Sequence, residues 1–237
     1  MSQFYSSEQT EHSRQVLEET LSAIPGAILI GGWGSWVRTG GEMSHDIDLI
    51  VTRPELEMLG AMVEDLSESR HFGSPKWRAS RRGVHLDLYV PHQSRLGANL
   101  QLRVEQLVNH TETRDGKRLL TIPGHTATKW AALLDRPDSR PGRKDRYEIL
   151  RLLKAPGADE TPRVIKETSS RTPSDVDALL RKGFELLAES DNLTRQERAT
   201  LRRRSTLWSG PSTTSHPPTS RGIALHSRTT RGRSTTR

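Results

Sequence analysis

Between Ile28 and Val51 the chain reads ILIGGWGSWVRTGGEMSHDIDLIV, and no other stretch restricts its fold as tightly. Ala27 to Ile30 is a short apolar run between Pro25-Gly26 and Gly31-Gly32, the pattern of a buried strand with breakers at both ends. Trp33 to Arg38 then reads as a short helix. Asp46 to Thr52 alternates with period two, so Asp46 and Asp48 share one face of a strand while Ile47, Leu49 and Val51 share the other. A strand anchored in a core by one face and carrying two carboxylates on the other requires something positive opposite those acids.

Hard carboxylate oxygens select Mg²⁺ or Mn²⁺, and the chain has no cysteine, which excludes thiolate metal sites and disulfides. A third acid stands in a similar setting. In Val84 to Val90, His85, Asp87 and Tyr89 occupy one face and the apolar residues the other. If that strand lies beside the first, Asp87 joins Asp46 and Asp48, and such a set can hold two metal ions roughly 4 Å apart. Glycines after a strand let a backbone approach a phosphate closely, and the helix that follows offers free N–H groups and a positive dipole end. Gly31 and Gly32 are therefore candidates to bind phosphates, with Ser35 and Ser44 as hydroxyl donors. Arg38 is a candidate either for a phosphate contact or for bracing the loop. His45 is expected to point away from Asp46.

The remaining pattern predicts a helix over 7–23, a helix opened by Pro54 and running to about Ser69, and a hairpin of 77–80 with 84–90 turning at Arg81-Arg82-Gly83. Beyond Pro91 the spacing predicts helices over 96–108, 126–135, 142–153, 174–189 and 194–206, with a short strand near 117–122. Trp33, Trp36, Trp77 and Trp130 read as packing residues. Hydrophobic residues make up only 32% of the chain, and from about Ser209 onward the composition is Ser, Thr, Pro, Gly and Arg, which buries too little to order itself. The net charge of +7 belongs to this end: nine arginines and no acid lie from Arg198 onward, leaving 27 basic against 29 acidic residues over 1–197. No membrane span or signal-like run is evident, so a cytoplasmic protein is expected. P-loop, His-Glu-x-x-His and dinucleotide-binding patterns are absent.

The Gly31, Gly32, Arg38, Ser44, Asp46 and Asp48 series resembles the nucleotidyltransferase signature of the DNA polymerase β superfamily, and most closely that of AbiEii-type toxins of type IV toxin–antitoxin systems. Lys129, Ala132, Arg136, Lys144 and Asp145 are similar to a later motif of that family, and the likeness covers about residues 25–155. It implies an α/β (α+β) nucleotidyltransferase fold, with a mixed sheet flanked by helices over 1–95. A helical domain would follow over 96–206 to complete the cleft, then a disordered basic tail over 207–237. It also implies a nucleoside triphosphate substrate bound by Gly31, Gly32, Ser35, Arg38, Ser44, Lys129 and Asp145, with catalysis and metal binding at Asp46, Asp48 and Asp87. Asp87 is the candidate to take the acceptor's proton. The implied acceptor is RNA, such as a tRNA, and the implied partner a cognate antitoxin. A small-molecule nucleotidyltransferase acting on an aminoglycoside-like hydroxyl, and a non-catalytic triphosphate sensor, remain open as alternatives.

Overall fold

A computed structural model describes residues 5–71, 74–191 and 193–209. Helix α1 (Ser7–Ala23) starts where the Ser6 side chain accepts from the Gln9 N–H, and it buries Val16 and Leu17. The chain then runs through β1 (Ile28–Leu29), α2 (Gly31–Thr39), β2 (Ile47–Ile50) and α3 (Arg53–Gly60), followed by β3 (Glu64–His71), β4 (Ser74–Arg81) and β5 (Val84–Tyr89). Next come β6 (Arg95–Leu96), β7 (Leu102–Arg103), α4 (Val104–Leu107), β8 (Thr111–Arg114) and β9 (Lys117–Leu120). The last part is helical: α5 (Ile122–Asp135), α6 (Arg140–Leu152), a 3₁₀ turn, α7 (Thr161–Thr168), α8 (Pro173–Ala188) and α9 (Arg195–Trp208). Hydroxyl N-caps at Thr52, Thr121, Ser139, Thr172 and Thr194 start five of these helices, each satisfying an N–H that would otherwise be orphaned.

Seven strands form one mixed sheet in the order β3-β4-β5-β2-β1-β9-β8. The β2–β5 and β1–β9 pairs are parallel, and the remaining neighbours antiparallel. Alternation then sorts side chains to two faces. Leu29, Ile47, Leu49, Leu86 and Leu88 pack with Val16, Leu17 and Trp33 in a core under α1. Ile28, Ile30, Ile50 and Tyr89 face the other way, into a larger core built by α5 and the helices after it. Its centre is a ring cluster in which Trp130 lies 4.9 Å from Phe184 and 5.6 Å from Trp208. Asp48 and Asp87 have the parity of this second face, so the acids look toward the helical layer.

Several expectations are corrected. The helix begun at Pro54 stops at Gly60, and 64–71 forms the polar edge strand β3 instead, because pairing with β4 is enough to hold a strand that buries little. The expected helix over 96–108 is a small β6–β7 hairpin with one helical turn, since Gly97 (φ 81°) and Gln101 (φ 51°) adopt backbone that no helix contains. Strand β8 and helix α7 were not expected, although α7 buries Thr161, Val164, Ile165 and Thr168 at helical spacing. The boundary expected after residue 95 falls inside the sheet, which takes β8 and β9 from beyond it. Helix α9 extends through Leu207 to a buried Trp208, and 210–237, where disorder is expected, lies outside the described residues. Among the described residues no helix is long and apolar enough to cross a membrane.

The helical layer is closely fitted where α8 crosses α5: a Cβ at Gly183 would enter the Trp130 indole. Gly183→Ala is expected to lower stability by about 1–3 kcal/mol through overpacking, read as a reduced urea midpoint at unchanged slope.

Candidate active site

The parallel pairing of β2 with β5 places Asp48 directly opposite Asp87. Asp46 lies two residues before Asp48, just ahead of the strand, where the Ser44 hydroxyl donates to its carboxylate at 2.8 Å. All three acids line a cleft of about 410 Å³ between the sheet and helices α5 and α6, and Gly31, Gly32 and Ser44 line the same space. Gly31 has φ 65°, and a Cβ there would collide with the Asp48 carboxylate; one at Gly32 would meet the Ser44 hydroxyl. Glycine at both positions is thus what lets the start of α2 stand against the acids. The first N–H groups of α2 have no side-chain cap.

The charges of the cleft are uneven. Burial, with Asp46 and Asp87 beside it, pushes the Asp48 carboxyl up to about 7. Burial also opposes the charge on Asp46, but His45, the Ser44 hydroxyl and Lys144 outweigh it and hold that carboxyl below its ordinary range. The His45 Nδ1 lies 3.5 Å from Asp46, so this side chain does not point away as its alternation suggests. Cations ring the acids. Lys129 is buried between Asp145, at 3.2 Å, and Glu148, and these partners hold its ammonium charged against the cost of burial. Asp145 is also held by Arg136 at 2.9 Å. Lys144 lies over the Tyr5 ring at 4.7 Å, and burial lowers its pKa.

Not every expected residue reaches the cleft. Arg38 is buried, its guanidinium donating to Glu112 and to the Leu120 carbonyl. It clamps α2 to β8 and β9 and is a brace, not a phosphate contact. The Ser35 hydroxyl is engaged by His125 at 3.1 Å, away from the cleft. Asp145 lines the cleft but its oxygens are held by Lys129 and Arg136, so its part is to fix those two cations. Asp87 is likewise occupied: Lys76 donates to one of its oxygens at 2.5 Å and Arg78 lies 3.4 Å from the other.

A divalent cation fits Asp46 and Asp48 by donor chemistry: two hard carboxylates share one face, and Asp48 makes no direct hydrogen bond or ion pair with a described side chain. Among the described residues no three acidic or histidine side chains are set to hold one ion together.

His125 was not anticipated from sequence. It sits on α5, fully buried, with Nε2 donating to the Gly31 carbonyl at 3.0 Å, and the hydrogen of a Cβ-less Gly34 faces its ring. It therefore pins the glycine turn. Burial and the nearby Lys129 outweigh that hydrogen bond and lower its pKa to about 3. An imidazole ordinarily protonates near 6.5, so below that pH the unfolded chain takes up a proton that the folded chain refuses. The contribution of this residue to stability is intact above about pH 6.5 and is lost progressively as pH falls toward 3. His125→Gln is expected to flatten this part of the stability profile, measured by urea denaturation at pH 7 and pH 5.

No protein-family model matches the chain, and no curated protein matches it. Distant structural neighbours are nucleotidyltransferase-like. An antigenic nucleotidyltransferase-like protein from Paracoccidioides brasiliensis aligns at 15% identity over 84% of this chain and 94% of its own, with a TM-score of 0.41. A nucleotidyltransferase candidate from Thermotoga maritima aligns at 15% identity over 60% and 91%, with a TM-score of 0.40. A cytoplasmic RNA terminal U-transferase aligns at 15% identity over 84% and 77%, with a TM-score of 0.31.

Proposed function

We propose that the chain transfers a nucleoside monophosphate from a nucleoside triphosphate to an acceptor hydroxyl. The observation that carries this reading is the opposition, in one cleft, of the Asp46–Asp48 pair to the glycine turn at the start of α2, with Lys129, Arg136 and Lys144 around them. Free N–H groups and cations suit the phosphates. The acceptor oxygen bonds to the α-phosphorus, the α–β phosphoanhydride bond breaks, pyrophosphate departs and the hydroxyl proton is released. A Mg²⁺ or Mn²⁺ on Asp46 and Asp48 would neutralise charge on the triphosphate and the attacking oxygen. The protein's own part is positioning: Lys129 and Arg136, fixed by Asp145, and the turn held by His125 and Gly31.

One feature favours RNA over a small molecule as the acceptor. Helix α6 turns its acids Asp145 and Glu148 inward and presents Arg143 and Tyr147 outward, one helical turn apart, with Tyr147 44% exposed and a half-buried Arg151 one turn further on. Its first turn, with Pro141 and Lys144, lines the cleft. A stripe of two guanidiniums around an aromatic ring suits a strand that brings phosphates and stacking bases to the acids. Together with the resemblance of the glycine and aspartate motif, this supports an RNA-modifying toxin, with tRNA as acceptor and a cognate antitoxin as its restraint.

Incubation with Mg²⁺, each α-³²P-labelled nucleoside triphosphate and total bacterial tRNA tests the reading. Label is expected in RNA, and Asp48→Asn is expected to abolish it while the folded chain persists by circular dichroism; retained activity in that variant would overturn the mechanism. The Arg143→Ala/Arg151→Ala double variant is expected to weaken tRNA binding about tenfold and to reduce the salt slope by roughly 1.5. Unaltered RNA binding, or label appearing on an aminoglycoside instead, would move the acceptor to the small-molecule class.

A further inference from the structure

Asp87 already has the charge that a divalent ion would bring. Alternation along β4 puts Lys76 and Arg78 on one face, and the β4–β5 register sets Arg78 directly opposite Asp87, with Lys76 one diagonal away. Each carboxylate oxygen therefore meets its own cation: Lys76 Nζ at 2.5 Å and Arg78 Nε at 3.4 Å. The Lys76 side chain is 6% exposed, and its ammonium lies 5.8 Å from the Tyr89 ring centroid. It does not stand at the rim of the cleft but forms part of its wall. Asp48, one strand over, has no such partner.

We propose that this site holds a single divalent cation, on Asp46 and Asp48, and that the Lys76 ammonium backed by Arg78 occupies the place of a second one at Asp87. The proposal rests on the metal-dependent reading of the cleft given above and sets the number of ions it uses. A metal ion on Asp87 would have to lie within ionic contact of both cations, and like charges at that spacing repel. Moving Lys76 aside would not solve this, because an ammonium so deeply placed would lose its only carboxylate partner among the described residues without reaching solvent, and Arg78 would remain. The buried Lys76 ammonium in the wall, with the half-exposed Arg78 guanidinium beside it, would then contact the triphosphate or acceptor phosphate directly, at a geometry set by the strand and not by a mobile ion.

Titration of the full chain with Mn²⁺ alone, followed by electron paramagnetic resonance and by free-ion counting, tests this. One Mn²⁺ per chain without exchange coupling is expected; Asp48→Asn should lose it and Asp87→Asn should keep it. The Lys76→Met/Arg78→Met double variant should admit a second ion and give an exchange-coupled spectrum. Two coupled ions in the unaltered chain, loss of the ion in Asp87→Asn, or a folded double variant that still takes up one ion would each overturn the proposal and leave metal-dependent transfer standing. No Mn²⁺ uptake at all by the unaltered chain would overturn the metal reading of the cleft as well. The count on the unaltered chain decides the matter even if a variant does not fold.

Discussion

The pairing of β2 with β5 sets two carboxylates side by side at the middle of a sheet, and most of the surrounding architecture answers that repulsion. Ile47, Leu49, Leu86 and Leu88 bury the far face of the same two strands, so neither strand can roll its acid outward without emptying a core. The conflict is met from three directions. Strand β4 supplies Lys76 and Arg78 to Asp87, helices α5 and α6 supply a network around Lys129, and Asp46 takes a hydroxyl from Ser44. Asp48 is the residue left over, enclosed and poorly compensated. An enclosed anion without a partner costs folding energy, and a chain keeps such a group where a ligand repays it.

Much of this was legible in the sequence, because period-two alternation is a local property. The shared face of Asp46 and Asp48 and the glycine turn at the start of α2 followed from spacing, as did a strand carrying Asp87, but its place beside the first strand came only with the sheet. The partners of Asp87 did not follow, and one residue in the turn accounts for it. A turn spread over Arg81-Arg82-Gly83 would set Trp77 opposite Asp87. The actual two-residue turn at Arg82 and Gly83, both at positive φ, shifts the register by one and brings Arg78 there instead. A single-residue slip exchanges the faces of a strand, so an indole became a guanidinium.

Other residues were illegible for different reasons. Arg38 fits a motif, but its partners Glu112 and Leu120 lie more than seventy positions later, on strands whose place in the sheet no local pattern reveals. His125 carries no signature: its role comes from Gly31 and Ser35, ninety or more residues away. The failed helix over 96–108 contained Gly97 and Gln101, and only glycine announced its backbone in advance. The structure also separates two kinds of buried charge that look alike in sequence, those that touch the open space and those, such as Arg38, that join elements behind it.

Helix α5 carries His125 and Lys129 one turn apart, the first tied to the glycine turn and the second reaching into the open space, and one residue further on Trp130 is clasped by Phe184 and Trp208. The helix is therefore a spacer of fixed length whose two working ends cannot be tuned separately, and its seating is decided by aromatic rings from the last two described helices. The width of the opening at the acids is thus governed in part from the far end of the chain. Selection acting on α8 and α9 would reach the cleft without altering any residue that lines it.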